Sequence, residues 1–139
     1  MNVSRVLGLD PGTRRVGVAI SDSRRTLAMA RACVPVDDVT IATLSSLVAD
    51  EGVTLVVVGR PISMGGTETE STRLSDNFAR DLASSVDPVE VVRWDERLTT
   101  VSARRQLHQS GVKDREQRAL IDSAAAVVML QHFIDASHA

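Results

Sequence analysis

A chain of 139 residues and 15.0 kDa has the length of a single domain, and 43% apolar with 24% charged residues excludes both a disordered and a fibrous protein. A net charge of −2 excludes the strongly basic surface of the simplest nucleic-acid binders, so any phosphate contact must be local. No run approaches a membrane span and the N-terminus lacks the pattern of a secretory leader, so the expected location is the cytoplasm, with no membrane partner. Cys33 is the single cysteine; it excludes an internal disulfide and a cysteine metal site, and it reads as a small core residue. Of the 16 basic residues only Lys113 is lysine, and the arginines gather at Arg14, Arg15, Arg24, Arg25 and at Arg104, Arg105. A third basic group is Lys113, Arg115 and Arg118. Each group reads equally as a solvated face or as a phosphate contact.

In chain order, residues 5–9 and 16–20 are short β-rich runs separated by Asp10-Pro11-Gly12-Thr13, which predicts two strands joined by a hairpin loop. A third strand is predicted over 27–34. In the second run Gly17, Ala19 and Ser21 alternate with Val16, Val18 and Ile20, so one face carries small residues that admit a close neighbour. Asp37 or Asp38 is the expected cap of a helix with the stripe Ile41, Leu44, Leu47, Val48, ending before Gly52. The continuous apolar run 53–58 then predicts a strand buried on both faces in a parallel arrangement.

The glycine-rich loop 59–66 leads to Thr67 and Glu70, read as a capping box, and to a second helix with Leu74, Phe78 and Leu82 on its apolar side. A fifth strand is predicted over 89–94, a third helix from Thr99 to about Ser110, and a mostly buried final helix over 120–134. Between the last two, residues 110–117 read either as a mobile loop or as a capping box, Asp114 with Gln117, that opens the final helix. The order βββαβαβαα, with three antiparallel strands followed by right-handed crossovers to a parallel fourth and fifth, predicts an α/β fold of ribonuclease H type: one mixed five-stranded sheet flanked by helices in a single domain spanning 1–139.

Asp10 ends the first strand, and Asp95 and Glu96 hold the matching place at the end of the fifth; in a sheet where those strands are neighbours, the two acidic sites converge. Asp122 stands among Leu120, Ile121, Ala124 and Ala125, where an unpartnered carboxylate is costly. Taken singly these residues also read as a turn former, as charges favoured at a helix start, and as an i, i+4 partner of Arg118. Taken together they suit hard divalent cations, which take oxygen ligands; a pair of such ions activates water and stabilises the leaving oxygen of a phosphodiester. The loop 59–66 precedes a helix start and offers backbone N–H groups, with Arg60, to a phosphate.

Four segments in order, GLDPGTRRVGVAISD at 8–22, VVVGRPISMGG at 56–66, DERLTT at 95–100 and IDSAAAVVMLQHF at 121–133, resemble the YqgF/RuvX family of Holliday-junction resolvases and pre-16S rRNA nucleases, within the ribonuclease H-like superfamily. The resemblance covers nearly the whole chain. It implies a nuclease domain with catalytic and metal-binding Asp10, Glu96 and Asp122, Asp95 as a candidate fourth ligand, and Mg²⁺ or Mn²⁺ as the cofactor. Arg15, Arg97 and Arg118, in or beside those motifs, are then placed to meet phosphates; with Arg60 of the loop and Lys113 and Arg115 of the third basic group they make up the expected nucleic-acid contacts. The implied substrates are structured RNA, namely pre-16S rRNA, and branched DNA. A monomer suits the trimming of one RNA end, and a homodimer suits the cutting of two symmetric strands.

Two other classes compete with this reading. One is a nucleic-acid-binding or regulatory protein without turnover, against which the intact acidic set counts. The other is an ATPase of the actin and sugar-kinase type, suggested by Asp10-Pro11-Gly12-Thr13, but one domain cannot close around a nucleotide from both sides. One tryptophan and two phenylalanines are too few for a base-stacking platform, so recognition is expected to rest on phosphates and shape. His108, His132 and His138 lack metal-ligand spacing and read as ordinary helix or tail residues.

Overall fold

The computed structural model describes residues 4–98 and 122–138. They form β1 (Arg5–Pro11), β2 (Arg15–Ser21), β3 (Ala28–Pro35), α1 (Thr40–Asp50), β4 (Val53–Arg60), α2 (Glu70–Val86), β5 (Glu90–Asp95), a 3₁₀ turn (Glu96–Leu98) and α3 (Ala124–Ser137). The helix predicted from Thr99, the segment 110–117 and the basic residues Lys113, Arg115 and Arg118 lie outside the described residues. The sheet order is β3-β2-β1-β4-β5, with β2 antiparallel to β1 and β3, and β4 parallel to β1 and β5. This is the mixed sheet that the order of elements predicts.

Strand alternation divides the core into two layers. Leu7, Leu9, Val16, Val18, Ile20, Val56 and Val58 face α1 and α2, where Leu44, Val48, Leu82 and Val86 cover them. Val6, Ala19 and Val57 face α3 and meet Ala126, Met129, Leu130 and Ile134. The small-residue face expected on β2 is thus the side on which α3 packs. Among the described residues no helix is long and apolar enough to cross a membrane.

Local chemistry corrects three of the expected details. Neither Asp37 nor Asp38 caps α1: Val39 is its N-cap, without a side-chain hydrogen bond, and the Asp37 carboxylate instead accepts from the Val39 N–H at 2.9 Å. Thr40 ties down this entry by donating to the Pro35 carbonyl at 2.9 Å. The capping box of α2 is Thr69 with Thr72, not Thr67 with Glu70: the Thr72 hydroxyl accepts from the Thr69 N–H at 2.9 Å while Thr69 accepts from the Thr72 N–H at 3.4 Å. The buried side of α2 consequently runs through Thr72, Ser75, Ala79, Leu82 and Val86, and Leu74 stands exposed at its margin.

Candidate active site

β1 and β4 continue two residues past their apolar runs, carrying Asp10 and Gly59 to one edge of the sheet. Asp10 pairs with Gly17 of β2 on one side. On the other, it lies one residue beyond the Leu9–Val58 pair, which brings it level with Gly59. By alternation from Val6 and Gly8, Asp10 belongs to the α3 face. The row Gly17–Asp10–Gly59 therefore holds a carboxylate between two positions that have no side chain.

At both glycines another element comes very close. A Cβ on Gly17 would stand 2.9 Å from the Asp122 carbonyl oxygen and 3.5 Å from the Asp10 Cβ. One on Gly59 would stand 2.7 Å from the Glu96 Oε1 and 3.0 Å from the Met129 Sδ. The bare floor beside Asp10 thus receives Asp122 from one side and Glu96 from the other, so the structure brings the three acidic residues of the sequence reading to one edge.

Asp122 stands just before Ser123, the N-cap of α3, and is fixed through that neighbour. At the β2–β3 pairing the register shifts between Val16 and Val18, and the fully buried Ser123 hydroxyl bridges the irregularity. It accepts from the Val18 N–H at 2.9 Å and donates to the Arg31 carbonyl at 2.7 Å. The sequence reading did not single out Ser123; a lone hydroxyl before an alanine-rich helix was the available signal. Ser123→Ala leaves a buried donor and acceptor unpaired, so urea denaturation is expected to show a loss of about 1–3 kcal/mol. A loss below a few tenths of that would mean that water replaces the hydroxyl.

The Asp122 carboxylate is engaged by Arg15, whose Nη1 donates to Oδ2 at 2.6 Å. Asp122 raises the Arg15 pKa above its ordinary value, first through this hydrogen bond and then through charge. On the far side Asp95 binds Arg97 closely, with Nη2 donating to Oδ2 at 2.6 Å and the backbone N–H to Oδ1 at 2.9 Å. Arg97 holds the Asp95 pKa below the usual carboxylate range. His132 of α3 donates to the Leu98 carbonyl at 3.1 Å, and Phe133 meets Trp94 edge to face with centroids 5.9 Å apart, so α3 anchors both ends of the segment that carries Glu96.

Arg60 is turned away from this floor. Its guanidinium pairs with Glu68 and with Asp76 at 3.0 Å, and Asp76 also accepts from Arg93 at 2.7 Å. Arg60, then Arg93, lowers the Asp76 pKa. Two of the loop's own donors are occupied as well: the Ser63 N–H binds the Thr67 carbonyl at 3.1 Å, and the Gly66 N–H binds that of Ser63 at 2.8 Å. The Thr67 N–H binds the Ser63 hydroxyl at 2.9 Å. A phosphate on the Ser63 or Gly66 N–H would have to displace these partners. Asp22, at the end of the first motif, is likewise structural. Hydrogen bonds from the Thr26 hydroxyl and the Thr26 and Leu27 N–H groups hold its carboxyl down at about 2.

The donor set at the edge is carboxylate oxygen, the chemistry that Mg²⁺ and Mn²⁺ take, and the missing side chains at Gly17 and Gly59 are what let the Asp122 main chain and the Glu96 carboxylate come close to the strand ends beside Asp10. In the present arrangement, no three acidic, histidine or cysteine residues among the described ones are gathered closely enough to hold an ion. Two of the candidate ligands are held by arginines, Asp122 by Arg15 and Asp95 by Arg97.

Residues 4–136 match the family described as RuvX, Holliday junction resolvase. A protein of Ruminiclostridium cellulolyticum named "Putative pre-16S rRNA nuclease" is 35% identical over 94% of this chain and 94% of its own length. One of the same name from Chloroflexus aggregans is 40% identical over 98% of this chain and 96% of that protein. Among solved structures, Thermus thermophilus RuvC in complex with a Holliday junction superposes with a TM-score of 0.59 at 13% identity, covering 97% of this chain and 96% of RuvC. That likeness shows a shared ribonuclease H-like fold.

Proposed function

The chain belongs to the RuvX family of Holliday junction resolvases, and from that membership we propose that it is a divalent-metal-dependent endonuclease hydrolysing phosphodiesters of structured nucleic acid. The observation that carries the reading is the row Gly17–Asp10–Gly59, which seats a carboxylate between Asp122 and Glu96 at a strand-end edge. Asp10, Glu96 and Asp122 are the residues that would hold Mg²⁺ or Mn²⁺. When bound, such ions supply activation of water and stabilisation of the leaving oxygen. Asp10 is carried on the sheet, Asp122 is fixed by the Ser123 bridge, and Glu96 rests on Gly59 under the hold of α3. Arg15 and Arg97 lie at the same edge, each on a carboxylate, with planar donor forks suited to phosphate oxygens.

The names of the relatives favour pre-16S rRNA as the natural substrate, and processing of its 5′ end is the reaction expected. Resolution of branched DNA is the second reading, favoured by the likeness to a structure solved on a Holliday junction. The chain is expected to act in the cytoplasm.

Incubating the purified protein with Mg²⁺ or Mn²⁺ and a precursor-rRNA fragment, single-stranded RNA or a four-way DNA junction tests both. Cleavage confined to precursor RNA and abolished by EDTA is the expected result; symmetric nicking of the junction would favour the second substrate. Tight binding of either probe with no metal-dependent cleavage would replace the enzyme with a binding protein of the same fold.

A further inference from the structure

We propose that Arg15 is the resident counter-cation of Asp122 and that it changes partner when a divalent ion loads, leaving the carboxylate for a substrate phosphate. This rests on the nuclease reading above and concerns how that site is regulated. Asp122 is the fixed member of the pair: its main chain packs against Gly17, and the next residue is locked by two buried hydrogen bonds. Arg15 is the movable member, a long side chain 49% exposed at the first residue of β2, against 27% for Asp122. A guanidinium does not lose its proton in the working range, so the pair cannot open by titration of Arg15. It opens by competition. A hard divalent ion brings twice the charge to the same carboxylate oxygens and repels the guanidinium from them.

Once displaced, Arg15 remains beside the scissile edge because β2 pairs with β1 through Asp10 and Gly17. Its planar fork then suits phosphate oxygens. Before loading, the ion pair masks both a metal ligand and a phosphate ligand. Metal and nucleic acid should therefore each strengthen the binding of the other by the same factor, as linkage requires.

Calorimetric titration with MnCl₂ of wild type, Arg15→Gln and Arg15→Lys, with circular dichroism to check folding, reads the first half. Removing the competitor should tighten Mn²⁺ binding roughly two- to fivefold in Arg15→Gln, the factor that an exposed ion pair is worth. Arg15→Lys retains a competing charge and should stay near wild type. A merely structural arginine would give the opposite sign or no change. The second half is the salt dependence of binding to a four-way DNA junction, in EDTA and in CaCl₂ at matched ionic strength. Relative to Arg15→Gln, wild type should gain about 0.9 in log–log slope on adding Ca²⁺, the signature of one new phosphate contact. Mn²⁺ binding that is equal or weaker in Arg15→Gln overturns the exchange while leaving the metal site standing. No Mn²⁺ binding by any of the three proteins overturns the exchange and the metal-dependent reading together.

Discussion

Asp10→Asn should lower divalent-metal-dependent cleavage by at least about a thousandfold while leaving the circular dichroism spectrum of the protein unchanged. The size follows from position. Asp10 is the member of the acidic set carried by the sheet itself, between β2 and β4, and a neutral amide there binds a hard cation poorly. The fold should survive because Asn matches Asp in size, the strand pairing of Asp10 with Gly17 is made by the backbone, and the residue lies beyond the apolar layers. Thermal melting gives an independent reading. Wild type should gain stability on adding Mg²⁺, since an ion that binds only the folded chain stabilises it by mass action, and Asp10→Asn should lose most of that gain. A folded Asp10→Asn protein with wild-type cleavage would remove Asp10 from the metal site.

The parts of this fold that were legible in the sequence are those governed by periodicity. Val53 to Val58 reads as a two-sided buried strand and is one over Val56 to Val58, with Thr54 exposed nearer its start, and the small-residue face of β2 announces the close approach of α3. The strand ends were not legible, because apolar pattern marks only the portion of a strand inside the core. Hydrogen bonding carries β1 on to Pro11 and β4 on to Arg60, into the residues that form the site. Caps were misread for a related reason. Aspartates and threonines near a helix start look interchangeable in sequence, whereas in the structure Thr40 and Thr72 each reach a proline carbonyl, and these tertiary contacts choose where the helix begins.

The meeting of Asp10 with Glu96 was expected from β1 and β5 as neighbours, whereas β4 lies between them and it is Gly59 of β4 that lets Glu96 approach. What each carboxylate touches was not legible. Asp122 reads as an i, i+4 partner for Arg118, which lies outside the described residues; among the described residues Arg15 binds it, at a separation of 107 residues. Arg60 reads as a phosphate ligand, but Glu68 and Asp76 hold it. Arginine partners depend on side-chain reach across elements, which neither spacing nor composition encodes.

The two floor glycines should respond differently to the same substitution, although both stand under an acidic residue. In Gly17→Ala the new methyl meets backbone, 2.9 Å from the Asp122 carbonyl oxygen and 3.3 Å from the Ser123 Cα. Neither can move aside without lifting the start of α3 and breaking the Ser123 bridge to Val18 and Arg31. Overpacking of that kind costs about 1–3 kcal/mol, so the melting temperature should fall by several degrees and activity should fall with it. In Gly59→Ala the methyl meets the tip of a side chain, 2.7 Å from Glu96 Oε1, and the sulfur of Met129 at 3.0 Å. Both belong to side chains rather than backbone and can shift without moving an element of the fold, and alanine suits a strand better than glycine does, so stability should change by less than about 1 kcal/mol. Glu96, however, can accommodate the methyl only by leaving the position from which it faces Asp10 across the bare floor. Cleavage should drop by about tenfold to a hundredfold, the scale at which a supporting position matters to a metal site, and raising Mn²⁺ should recover part of it. Melting curves and metal titrations of the two variants side by side decide the matter: equal losses of stability would mean that Glu96 is held as rigidly as the backbone of Asp122, and an active, metal-insensitive Gly59→Ala enzyme would place Glu96 outside the site.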